Sequence, residues 1–343
     1  MRRKRRLSSR RACTTWPSTQ SRRRLKAAKP PAPGAAYDQS IVTKLGIMIE
    51  GQEGLNWERW KRLCHDVEAL GFESLRRSEH LISLMGDDQR DCIDCWTSLA
   101  LAAEWTKKIT FGPMVSPMTF HHPAVLARQA AAVDVLSNGR LILGVGAGWN
   151  QREHEMFGVP FYTVKERMDL LEQGIARMRD TWKISNPKPA QNPMPLLMGG
   201  RGEKRALPMI AREATEWNLS HIDAAEYQQK RGVLEECCRA IGRDPTTIRH
   251  SVMSTYIIGR DRSDLRERTA KMRDVLPSLR ELDIDEAMAA IRKRGLVGTP
   301  EEMVEQIRGY SALGADLFML QHFLLDDRDA LQLLASDVIP AVA

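Results

Sequence analysis

From position 44 onward the chain alternates short apolar runs with longer amphipathic stretches, and that alternation restricts its fold more than any other feature. A short apolar run between polar turn residues reads as a buried strand, and the amphipathic stretch that follows reads as a crossover helix, so repetition implies parallel strands covered by helices. Eight runs stand out: LGIMIE (45–50), FESLRRSEH (72–80), ITFGPMVS (109–116), LILGVGAG (141–148), PLLMGG (195–200), ATEWNLS (214–220), RHSVMSTYIIG (249–259) and DLFMLQHF (316–323). Helices are predicted between them, among them 57–70, 123–136 and 299–313. The last opens on Thr299-Pro-Glu-Glu, a capping pattern with proline in the first turn. Eight strand–helix units close into an α/β (β/α)8 TIM barrel, with an open doubly wound sheet as the competing outcome. The spacing between the seventh and eighth runs is long, and 261–276 and 283–294 both read as helices. An insertion is therefore predicted there, on the face where the strands end.

The formal charge of +7 suggests nucleic-acid binding until the basic residues are located. Positions 1–40 hold 12 of the 51 Lys and Arg and one acid, Asp38, which leaves 39 bases against 43 acids in the remainder. The body is mildly acidic, and no nucleic acid is expected on the barrel. The basic head lacks apolar periodicity and ends in a Pro/Ala/Gly run, so 1–40 is predicted to be a disordered extension and 41–343 the folded domain. SRRRLK (21–26) faintly matches a twin-arginine export signal, but no apolar stretch of the needed length follows it. A transit peptide and a polyanion-binding arm are the other readings; a dispensable extension is the one adopted. No run of about 18 apolar residues occurs, so no membrane span is predicted. Cys92 and Cys95 form a CxxC without the second pair a zinc site needs, and no metal is expected. Reduced thiols in a cytoplasmic protein fit the cysteine pattern, and a homodimer is one assembly such a body could form.

In a barrel of this kind the chemistry lies where strands end. The second run ends in Ser78-Glu79-His80, an acid and an imidazole side by side, and His exchanges protons near neutral pH. A lone His there would more simply be structural. The third run passes through Ser116 to His121 and His122, which would point apart on extended chain, against a metal pair. The fourth delivers Gly144-Val-Gly146-Ala147-Gly148-Trp149, small residues that let a flat ring or backbone amides come close. The run is not read as a dinucleotide fingerprint, since it lacks the strand context of a dinucleotide fold. The fifth run gives Gly199-Gly200-Arg201-Gly202, glycines leading into a helix whose free amides could cradle a phosphate; the P-loop spacing is missing.

Taken in order, these segments resemble the luciferase-like monooxygenase family, above all its branch using the deazaflavin coenzyme F420. The resemblance runs from Lys44 to the C-terminus and is most specific in ITFGPMVSPMTFHHPAVLARQAAAVDVLSNGRLILGVGAGWNQREHEMFGV (109–159) and PLLMGGRGEKRALPMIAREATEWN (195–218). It implies a cofactor ring against Glu79, His80, Ser116 and the backbone of Gly146, Ala147 and Gly148. It also implies a cofactor phosphate on Gly199, Gly200, Arg201 and Gly202, and His80 as the group that handles a proton of a small-molecule substrate. Arg201, Lys204 and Arg205 could pair with the anionic tail of a deazaflavin, which FMN lacks. The function so implied is hydride transfer between coenzyme F420 and a small organic substrate. The alternatives are an FMN-dependent monooxygenase and a non-catalytic flavin-binding relative.

Three features depart from the family pattern. Arg76 and Arg77 stand where an apolar or aromatic pair is usual, so one guanidinium must enter the barrel and the other must face the helices, and either an acid or a substrate meets it or the strand is strained. Between Trp182 and Pro195 the chain has only KISNPKPAQNPM, which predicts missing cover over the cofactor site. Trp149 replaces an acid of the sugar-phosphate dehydrogenases, which points to an apolar substrate.

Overall fold

The structure, a computed structural model, describes residues 43–343, so the predicted 1–40 extension lies outside the described residues. Ten strands succeed one another: β1 (Lys44–Ile49), β2 (Ser74–Arg77), β3 (Thr110–Pro113), β4 (Ser116–Pro117), β5 (Leu143–Gly146), β6 (Leu196–Gly199), β7 (Glu216–Ser220), β8 (Arg249–Ile258), β9 (Leu296–Gly298) and β10 (Leu317–Gln321). Every pairing is parallel, in the order β3-β2-β1-β10-β8-β7-β6-β5-β4, with β9 beside β8. β3 and β4 are halves of one stave, parted at the cis peptide Met114–Val115, so the two ends of that order coincide. Ile142 N–H donates to the Phe111 carbonyl at 2.9 Å, and Phe111 N–H to that of Arg140 at 3.2 Å, drawing β3 against the entry to β5. The result is a nearly closed (β/α)8 barrel in which all eight predicted runs become staves.

Glycine makes that last seam possible. A Cβ on Gly112 would collide with the Ile142 carbonyl, and one on Gly144 with the Pro113 carbonyl; only a residue without a side chain lets two backbones approach so closely.

Strand side chains alternate between the two faces. Outward-facing Leu45, Ile47 and Ile49 join Leu63 and Val67 of the helix Trp57–Ala69 in the main core. Inward-facing Met48, Met114, Leu197, Leu317 and Met319 form a separate cluster inside the barrel. The helices start where caps stand. Asn56 accepts from Arg59 N–H at 3.0 Å before Trp57–Ala69, and Thr299 with Glu302 forms a reciprocal box before Pro300–Ser311. The insertion after β8 carries the two predicted helices, Arg262–Val275 and Ile284–Arg292. It also carries β9, whose three residues are too short a run to register as a strand in the sequence.

The departure at the two arginines resolves by alternation. Arg76 points into the barrel, where its guanidinium grips Glu216 at 3.0 and 3.4 Å while its Nε donates to Ser74 at 2.9 Å. Ser251 adds a hydrogen bond to Glu216 at 2.7 Å, and the Asn218 amide donates to Ser251 at 2.9 Å. Arg77 points outward to Ser98 at 2.8 Å and to the Ile93 carbonyl at 3.0 Å, at the start of the helix Cys95–Trp105. The short segment after Trp182 is a different matter. Helix Val164–Ile184 leads through it into the amino end of β6, whereas the mouth of the barrel is at the carboxyl ends. The expected loss of cover over the mouth is therefore corrected: the shortening lies at the opposite end. Gln191 fastens the segment there, its amide and backbone N–H both donating to Asp134, at 2.7 and 2.9 Å. Among the described residues the cysteines are free thiols, and no helix is long and apolar enough to cross a membrane.

Candidate active site

The carboxyl ends of the staves bring two histidine–carboxylate pairs to one mouth, and they are not the pair that adjacency suggests. Glu79 and His80, neighbours in the chain, turn apart. Glu79 takes His121 Nε2 at 2.7 Å and a short hydrogen bond from the Ser116 hydroxyl, which itself accepts from the Trp96 indole at 3.2 Å. Glu79 and Ser116 thus form a buried layer behind the mouth, tying the end of β2 to β4. The polar atoms of both side chains are hydrogen-bonded within the protein, which places them in a supporting layer at the stave ends where the cofactor ring is expected.

His80 instead meets Glu153, 73 residues along. Its Nδ1 lies 2.8 and 3.0 Å from the two carboxylate oxygens, and the Leu81 amide donates to one of them at 2.7 Å. The Glu153 side chain is 1% exposed and that of His80 14%. An ionised carboxylate only accepts, so the hydrogen is on Nδ1. Among the described residues Nε2 has no hydrogen-bond partner. Glu153 escaped the sequence reading because it sits third in the short helix Gln151–Met156 behind the Asn150 cap, where a Glu reads as part of a capping box. The available signal was the place of that helix, immediately after the end of β5.

The 146–148 segment is more engaged than small residues alone imply. The space a Gly146 side chain would take holds Val115, and the Gly146 carbonyl accepts from Met118 N–H at 2.8 Å. Gly148 gives its carbonyl to Arg167, and Ala147 packs on the core. Both glycine carbonyls are thus held by the protein. Trp149, 65% exposed, stands edge-on to His80 with ring centroids 5.9 Å apart at 80°.

Across the mouth, Gly199, Gly200 and Arg201 line a 180 Å³ cavity with Asn218, Met114 and Met253. Gly200 has φ +130°, a conformation that favours glycine. The helix Ala206–Glu213 begins only after a turn at 203–205, rather than directly from Gly202 as expected. Among the described residues the amides of Arg201, Gly202 and Glu203 have no hydrogen-bond partner, as an anion site requires. The arginines do not extend that site. Arg201 donates to the Ser220 carbonyl at 2.6 Å and pairs with Glu226 at 2.9 Å, while Arg205 pairs with Asp169 at 2.7 Å. Both guanidinium groups that the sequence offers to a deazaflavin tail thus already have carboxylate partners in the protein. A further carboxylate was missed: Glu50, at the end of β1, accepts from Gln321 at 2.6 Å and from Gln52 at 3.0 Å. His221, near Glu50 at the end of β7, is held below its usual pKa chiefly by burial.

A sequence model described as luciferase-like monooxygenase matches residues 40–317. The chain is 27% identical over 239 residues to an F420-dependent hydroxymycolic acid dehydrogenase of Mycobacterium tuberculosis, covering 65% of each chain. It is 22% identical over 299 residues to an FMNH2-dependent dimethylsulfone monooxygenase of Pseudomonas putida, covering 76% of this chain and 81% of that one. The fold is shared with an F420-dependent secondary alcohol dehydrogenase solved with an F420-acetone adduct, with TM-score 0.74, 19% identity and coverage of 88% of this chain and 99% of the other. Of several mycobacterial relatives the chain spans less than two thirds of the length, 62% or 65%.

Proposed function

Because this chain belongs to the luciferase-like monooxygenase family, we propose that it is an oxidoreductase moving hydride between a deazaflavin of the coenzyme F420 type and a small apolar alcohol or carbonyl compound. The observation that carries the reading is His80, a proton-exchanging group held at the mouth with Nε2 unspent. Oxidising an alcohol releases a proton as well as a hydride, and a positioned imidazole receives it. The F420-dependent dehydrogenase among the relatives supports the same choice.

The residues fit such a cofactor. Three unpaired amides and the open backbone at Gly200 suit its phosphate, and Met114, Val115 and Met253 offer an apolar wall that excludes water from a planar ring. When bound, the cofactor supplies the hydride acceptor; the protein supplies position, a dry pocket and a proton route. Trp149 beside His80 places an apolar surface where the substrate skeleton would lie.

A second reading, an FMN-dependent monooxygenase, is favoured by one observation. Arg201 and Arg205 are already paired within the protein, so the cradle ends at a phosphate, as FMN does. Titrating the purified protein with coenzyme F420 and with FMN, followed by fluorescence, separates the two. Saturation by F420 is expected; binding of FMN alone overturns the first reading in favour of the second.

A further inference from the structure

We propose that Glu153 is a positioning residue that fixes His80 in the Nδ1–H tautomer, so that one nitrogen, Nε2, both takes the hydroxyl proton of an alcohol and returns it to a carbonyl. The proposal rests on the reading of His80 as the proton partner.

The pair has the two marks of such a device, a buried acid and a base that reaches the mouth. Glu153 is 1% exposed and keeps both oxygens occupied, one by His80 and the Leu81 amide, the other by His80. A carboxylate so placed stabilises the imidazolium formed when Nε2 is protonated, and it holds the ring against rotation. Its own support is stiff. His154, next in the helix, is anchored to the Asn150 carbonyl at 2.7 Å and to the Thr119 hydroxyl at 2.8 Å, while Arg152 pairs with Asp88. Arg167, which holds the Gly148 carbonyl, also donates to the Tyr162 carbonyl at 3.0 Å and stacks on Phe161, so both ends of the excursion are tied together. Cys92 lies behind the histidine, its thiol donating to the His80 carbonyl at 3.2 Å, and Trp149 covers the ring edge.

The step balances. As the alcohol is oxidised, the hydroxyl proton passes to Nε2 and the carbinol hydrogen leaves with its electron pair to the deazaflavin, which is reduced; carbonyl reduction is the reverse. Glu153 neither gains nor loses a proton.

Glu153→Gln separates this role from a structural one. The oxygen that accepts from Leu81 N–H would stay a carbonyl, which turns the new amide NH2 toward Nδ1 and forces the hydrogen of His80 onto Nε2. With histidine labelled in 15N, the wild-type protein is expected to show His80 protonated on Nδ1 and bare on Nε2, and Glu153→Gln to show the reverse. Turnover of cyclohexanol with coenzyme F420 is expected to fall about 10²-fold or more in Glu153→Gln, with F420 affinity within about twofold. A wild-type spectrum with the hydrogen on Nε2 overturns the proposal even if the variant fails to fold. So does unchanged turnover in Glu153→Gln when His80→Ala is inactive. Unchanged turnover in His80→Ala instead overturns the underlying reading, and with it the use of the tautomer.

Discussion

Arg76–Glu216 inside the barrel and His80–Glu153 at its mouth are both base–carboxylate pairs with a buried acid, yet their bases are placed differently. The first is 0% and 4% exposed, bidentate, and closed on all sides by Ser74 and Ser251. Its charge is permanent, because a guanidinium does not give up its proton. The second leaves its base 14% exposed, with one nitrogen unspent. The same burial of a carboxylate thus gives stability where the base is sealed and, on the function proposed above, proton chemistry where it opens on the mouth.

The largest effect should come from breaking the sealed pair. Arg76→Ala leaves a buried carboxylate unpaired and is expected to cost about 3–5 kcal/mol in urea unfolding. Arg76→Met combined with Glu216→Leu should recover most of it; a single variant as stable as the parent would remove the distinction. At the mouth, His80→Ala should lower turnover about 10²-fold or more, equivalent to about 2.7 kcal/mol, with little change in the unfolding midpoint. His121→Ala, which breaks the other pair, should cost turnover less than about fivefold. Equal losses in the two would erase the contrast between mouth and backing layer.

A pH-dependent effect concerns histidines that burial keeps neutral. His250 is pushed down to about 4 and His322 to about 3, each mainly by desolvation, and each meets a tyrosine hydroxyl, at 3.1 and 2.7 Å, rather than a carboxylate. The unfolded chain protonates them near 6.5, so it binds protons first as the pH drops. Their contribution is fully present above pH 6.5 and is lost as pH falls, through about 4 for His250 and about 3 for His322, by about 1.4 kcal/mol per pH unit for each. His250→Gln should flatten the slope of unfolding free energy between pH 4.5 and 6 by about one proton; an unaltered slope would show that His250 is charged in the folded state.

The barrel was legible because its staves are apolar runs with turn residues between them, and a period of two made the opposite headings of Arg76 and Arg77 readable in advance. Thr299 with Glu302 likewise announced its helix. β9 was not legible, since Leu296–Gly298 is three residues in the shadow of a helix. The site was half legible. The residues at the stave ends were found, but the pairing of His80 with Glu153 depends on how a turn 70 residues on folds back. Adjacency in the chain could not supply the acid that holds His80, because neighbours on extended backbone point apart. The pairing of Arg201 and Arg205 within the protein was equally invisible, since exposed basic residues find acids on elements whose placement only the fold decides.

The clasp of Gln191 on Asp134 has a consequence for how this scaffold tolerates change. It closes a joint at the end remote from the mouth, where chain connections serve stability and carry no reacting groups. Loops on the two rims therefore answer to separate pressures: peptide can be spliced out of, or grafted into, the lower rim at the expense of folding energy alone, while a comparable cut beside Trp149 would change what the molecule turns over.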